Sequence, residues 1–200
     1  MQDTSLARKA GMVGMFGAVL WTISVIIQYG LGVVGPESGS LWIVHEAIAM
    51  IALICVVIGF LGLIWGGAVH SRFGKASVYL LAIAWLLIVV AGVAGTLLQT
   101  EDSPVFILLP IGGLLADVGA LLTGIAVITA KQWSGWQRFV PLVSALVMVF
   151  GISLPAFLGV TDGPGMIGTL VMSVCWFAVA LAVYTAQPRT VSAEASAVAS

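Results

Sequence analysis

Residues 41–66 read LWIVHEAIAMIALICVVIGFLGLIWG, an apolar run broken only by His45 and Glu46 close to its start. At about 1.5 Å rise per residue, a helix of this length exceeds the roughly 30 Å of hydrocarbon in a bilayer. A surface helix of a water-soluble domain keeps a polar stripe, and this one has none. The run is read as a transmembrane helix. Five runs of the same kind surround it, at 10–34 before and at 77–98, 105–130, 139–160 and 165–186 after. The expected fold is therefore all-α: a polytopic integral membrane protein with one six-helix transmembrane domain over 10–186. A tail at 1–9 precedes it, and a disordered tail at 187–200 follows.

Composition agrees with that reading. Of 200 residues, 61% are hydrophobic and 8% charged, with a formal net charge of −1. An ordinary soluble domain carries about 25% charged residues. The near-zero charge excludes the basic footprint of a nucleic-acid-binding protein. Cys55 and Cys175 both fall in the middle of apolar runs and read as small packing residues, not a disulfide framework. Arg8 and Lys9 precede the first run as they would a signal peptide. That run is longer than an h-region and lacks a small-residue cleavage site, so a retained helix is expected.

The breaks between runs carry turn chemistry, as in Gly35-Pro36-Glu37-Ser38-Gly39-Ser40 and Thr161-Asp162-Gly163-Pro164. Sorting charge by loop places Arg8, Lys9, Arg72, Lys75, Lys131, Arg138 and Arg189 on one side, which accounts for all 7 basic residues. The loops of the other side hold only Glu37, Glu101, Asp102 and Asp162. By the positive-inside rule the basic side is cytoplasmic, which puts both termini inside. Localisation follows: a multi-pass protein of the cell membrane, the inner or plasma membrane in a bacterium. Tyr29 and Trp42 then fall at the outer interface, and Trp65, Tyr79, Trp133, Trp136 and Tyr184 at the inner one, as aromatic belts require. Short loops force successive helices into antiparallel contact. Sliding the second and third helices onto the fourth and fifth reveals no repeat.

Asp117 is the most costly residue in this frame. It lies about 12 residues into the fourth helix, roughly 18 Å deep, where a carboxylate costs about 2.5–3.5 kcal/mol on insertion scales. No Lys or Arg lies inside a span to offset it. Gly113, Ala120 and Gly124 share its face and form a small-residue stripe suited to another helix. Thr22, Ser24, Ser173 and the Trp85 indole lie at similar depth as hydrogen-bond partners for a neutral Asp117. The alternative role is a proton- or ligand-binding carboxylate.

His45 and Glu46 lie about 6–8 Å inside the outer end of the second helix, and adjacent side chains on a helix diverge by about 100°, so the two are expected on different faces. Gln28 and Tyr29 on the first helix and Thr96 and Gln99 on the third lie at comparable depth. Together they suggest a polar vestibule open to the outside with Asp117 at its floor. Ligand- or proton-binding candidates are thus Asp117, Glu46, His45, Gln28 and Gln99. Pro110 with Gly112 and Gly113 in the fourth helix, and Pro155 in the fifth, are hinge candidates, because proline removes a backbone bond and leaves a carbonyl free.

The 2 histidines, His45 and His70, lie at opposite ends of one helix, roughly 37 Å apart, and cannot share a metal or haem iron. Met12 and Met15 read as core filling rather than copper ligands. No phosphate-binding loop, nucleophile with a base, H-E-x-x-H or C-x-x-C is present, so neither catalysis, nor a metal, nor a cofactor is expected. The glycines at 11, 14 and 17, and Gly112, Ala116 and Ala120, form stripes for helix packing. Two functions fit: a permease-like or proton/cation-handling protein acting on a small solute or cation, or a non-transporting membrane subunit or scaffold. Partners would be the lipid bilayer and a membrane protein or second copy of the chain, and no nucleic acid.

Overall fold

The computed structural model describes residues 4–33, 35–98, 104–159 and 165–186. Among them it contains six helices long and apolar enough to cross a membrane: α1 (Thr4–Gly30), α2 (Ser40–Trp65), α3 (Arg72–Leu98), α4 (Leu108–Ala130), α5 (Val140–Phe157) and α6 (Gly165–Thr185). The described residues include no strand. The apolar runs locate every helix, with shifted ends. α1 starts at Thr4, so Arg8 and Lys9 stand on its first turns and not in a tail. Likewise α3 begins at Arg72. The tail at 187–200 and Gln99 lie outside the described residues.

The helices close into a ring in chain order. α1 packs on α2 and α6, α3 on α2 and α4, and α5 on α4 and α6, while α2 also touches α6. Small residues allow the close approaches. A methyl on Gly14 would lie 2.9 Å from the Gly59 Cα, one on Gly17 2.7 Å from the Cys55 Cβ, and one on Gly11 2.7 Å from the Tyr184 backbone nitrogen. Any larger side chain would push α1 off both neighbours, as expected of helices held by backbone approach and dispersion. Residues 14 and 17 meet 59 and 55 of α2, and residues 11 and 14 meet 184 and 180 of α6, so both pairs are antiparallel. Gly112 and Gly119 play the same part between α4 and α3, against Ala84, Ile88 and Leu81.

At the end carrying the basic residues, the Trp133 indole donates a hydrogen bond to the Gly66 carbonyl at 3.2 Å. That ties the connection after α2 to the one after α4. Trp133 is 1% exposed, so it is a plug between loops, not a residue of an interfacial belt as its position suggested. Through the middle of the ring runs an indole trio. Trp21 meets Trp176 edge-on at 5.4 Å, and Trp176 meets Trp85 at 4.8 Å and 89°. Such edge-to-face pairs add about 0.5–1.5 kcal/mol each beyond their area, and this one links α1, α6 and α3 across the centre.

The two proline interruptions differ. Pro110 stands in the first turn of α4, after a 3-10 turn over Pro104–Ile107. The first N–H groups of a helix have no intrahelical acceptor, so proline there costs no bond. The expected kink at Pro110 is instead a helix start. Pro155 acts inside α5. Just before it the chain widens into a π-helical turn over Val149–Ser153, in which the N–H of Leu154 reaches back to the Val149 carbonyl. The wider turn makes room for a ring that would otherwise meet the carbonyl four residues earlier.

Candidate functional site

A cavity of about 580 Å³ lies between α1, α2 and α3, bordered on a fourth side by Leu109 of α4. It lies towards the end of the bundle where α1 meets α2, opposite the basic end. Each wall is a helical stripe. Trp21, Ser24, Val25 and Gln28 supply α1; Trp42, His45, Glu46, Ala49, Met50 and Leu53 supply α2; Ile88, Gly92 and Gly95 supply α3. The spacings 21-24-25-28, 42-45-46-49-50-53 and 88-92-95 are those of single helix faces.

The α2 wall corrects the expectation that His45 and Glu46 must diverge. Both are buried, and the His45 Nδ1 lies 3.3 Å from the Glu46 Oε1. A cavity wall is wider than the angle between successive residues, so two neighbours fit within one stripe. That contact has ion-pair distance without hydrogen-bond alignment, because the Nδ1 has no hydrogen-bond partner. The His45 ring stacks on Trp42, centroids 5.7 Å apart and planes 28° from parallel, which fixes its orientation. His45 is 6% exposed. The other Glu46 oxygen is directed at α3, 3.5 Å from where a Gly92 Cβ would stand.

Three buried polar groups on this wall lack a partner among the described residues: the His45 Nδ1 and the indole nitrogens of Trp21 and Trp42. Buried N–H groups in folded proteins are nearly always bonded, and each unpaired one costs about 1–3 kcal/mol. Each of the three atoms is itself covered by protein and opens onto no water-sized space, so what the cavity offers a guest is a mainly apolar wall carrying Ser24, Gln28 and Glu46. Beneath it, the indole trio stands between the cavity and a void of only about 20 Å³ lined by Trp85, Trp176, Thr123 and apolar residues.

Asp117 is elsewhere. It is absent from the cavity wall and faces α5, where Ser153 donates a hydrogen bond to its Oδ1 at 3.1 Å. None of the four partners expected for it is used. The hydroxyls of Thr22 and Ser173 bond carbonyls of their own helices, those of Ala18 and Thr169. Back-bonding four residues down a helix is the local option open to every such side chain. Ser24 lines the cavity, and the Trp85 indole nitrogen has no acceptor. The stripe around Asp117 does face a helix, but unevenly. A methyl on Gly124 would lie 2.5 Å from the Leu142 Cα, whereas Gly113 has nothing within 4 Å. So α4 and α5 touch near the basic end, are bonded at Asp117, and have separated by Gly113.

Of the sequence candidates, the structure brings Gln28, His45 and Glu46 together and leaves Asp117, Pro110 and Pro155 outside. Gly112 packs on α3, where a methyl would lie 2.8 Å from the Ile88 side chain. Sequence reading passed over Trp21, Met50, Gly92 and Gly95, and placed Trp42 in an outer aromatic belt and not on a cavity wall. The stripe Trp21, Ser24, Gln28 at one-face spacing was the signal that could have found the α1 wall. Ser153 was missed because the depth comparison left out the fifth helix, although consecutive helices are the likeliest neighbours.

Among the described residues no group of three His, Cys, Asp or Glu could hold a metal ion. Comparison with known proteins finds no matching family model, no matching curated relative and no matching solved structure.

Proposed function

We propose that the protein is a small permease-like membrane protein that takes a small solute into the cavity between α1, α2 and α3. The observation that carries this reading is one cavity of about 580 Å³ whose largely apolar wall carries Gln28, His45 and Glu46. That volume falls within the roughly 300–1,000 Å³ of small-molecule sites, which combine apolar walls with a few placed polar groups. The six apolar helices span the bilayer, and the gathering of all 7 Lys and Arg residues on one side makes that side cytoplasmic. Both termini are then inside, and the cavity faces outward.

Cysteine accessibility in intact cells tests the reading. In a background carrying Cys55→Ala and Cys175→Ala, Gly95→Cys on the cavity wall should react with a membrane-impermeant thiosulfonate added outside. Ala126→Cys, which is 3% exposed as alanine and stands near the basic end, should not. Protection of both positions would contradict an outward-open cavity, and labelling only from the cytoplasmic side would reverse the orientation.

A second reading, a non-transporting subunit acting through helix contacts, draws support from Asp117. Its bond to Ser153 is what interhelical glue requires. That reading leaves the polar cavity without a purpose.

A further inference from the structure

We infer, resting on the reading of this cavity as a solute site, that its ligand is an organic monocation: an amine or ammonium compound with an apolar body. The wall residues exclude the other classes in turn. No Lys or Arg lines the cavity, and Glu46 does, so an anion would meet repulsion with nothing to pair it. A bare metal ion lacks a ligand set among the described residues. A neutral hydrocarbon would seal the Glu46 carboxylate away from water with no cation to pair it.

An organic cation answers that carboxylate. Glu46 holds its Oε1 3.3 Å from His45 and turns its Oε2 towards α3, beside Gly92 and Met50. The second oxygen is where a cationic nitrogen would pair. Around it stand Trp21, Trp42 and Met50, aromatic and polarizable side chains that tolerate a cation stripped of water. The apolar remainder would lie along Ala49, Leu53 and Ile88. Gly92 makes room for Met50: a methyl there would stand 2.6 Å from the Met50 Cε.

The test is equilibrium dialysis of the full chain in nanodiscs against two esters of one shape. Benzoylcholine carries a quaternary nitrogen, and 3,3-dimethylbutyl benzoate carries carbon in its place. The wild type should bind benzoylcholine saturably, and at least about tenfold more tightly than the neutral ester, the step expected of one charge-assisted contact. Glu46→Gln should remove that difference, and Gly92→Leu, which fills the space beside Glu46, should abolish saturable binding of both. Equal affinity of the wild type for the two esters, with both lost in Gly92→Leu, would overturn the cation and leave the solute site standing. Absence of saturable binding for either ester would overturn both. The wild-type comparison stands even if Glu46→Gln fails to fold.

Discussion

Glu46 and Asp117 are the two carboxylates within the six helices. Asp117 receives a hydrogen bond from Ser153 across α4 and α5 and is only half-buried, in an interface that is otherwise small and apolar. Glu46 is buried, lies 3.3 Å from the His45 Nδ1, and borders a cavity of about 580 Å³. On the reading of the six helices as membrane spans, depth ranks Asp117 as the costlier residue, because insertion cost is greatest at the centre. Hydrogen bonding ranks the pair the other way. A cost met by a neighbouring helix is structural, whereas a buried carboxylate that borders an open space calls for a ligand.

The contrast can be broken in several places. The largest effect is expected on the closed side, where Gly124 holds α5 at backbone contact. Gly124→Leu should destabilise the protein by about 3 kcal/mol, while Gly113→Ala, which has 4 Å of clearance, should be neutral or stabilising by up to about 1 kcal/mol. Unfolding by SDS in mixed micelles reads both, and similar values would mean that α4 and α5 do not diverge as described.

A smaller difference should separate two buried indoles. Trp133→Phe removes the bond to the Gly66 carbonyl and should cost about 1 kcal/mol beyond the change in packing. Trp21→Phe removes an N–H that has no acceptor, so its net effect should stay within about 0.5 kcal/mol. Thermal unfolding in the same detergent compares them, and an equal loss at Trp21 would reveal an internal acceptor.

The smallest effect is the coupling between Asp117 and Ser153. A cycle of Asp117→Ala, Ser153→Ala and the double variant should give about 0.6 kcal/mol, the average for hydrogen bonds between membrane helices. A coupling near zero would leave Asp117 without its structural role.

The helices were legible because each is a long apolar run, and the packing of Gly11, Gly14 and Gly17 followed from their spacing. The interior polar contacts were not. Ser153, which meets Asp117, stands on α5 at the end of a π-helical turn, and the partners expected by depth came only from other helices. Pro110 looked like a kink because the apolar run began before the helix does, and a proline changes meaning between the first turn and the third. His45 and Glu46 were recognised as a pair but assigned to separate faces, since a sequence gives angles around a helix and not the width of the space it borders.

The most direct measurement of the central claim is benzoylcholine binding to Glu46→Gln and Asp117→Asn side by side. Both variants replace a carboxylate by an amide of the same shape. The account predicts a loss of about tenfold or more in affinity for Glu46→Gln, and wild-type affinity for Asp117→Asn. Wild-type affinity in Glu46→Gln together with loss in Asp117→Asn would contradict it and return the functional role to the deeper carboxylate.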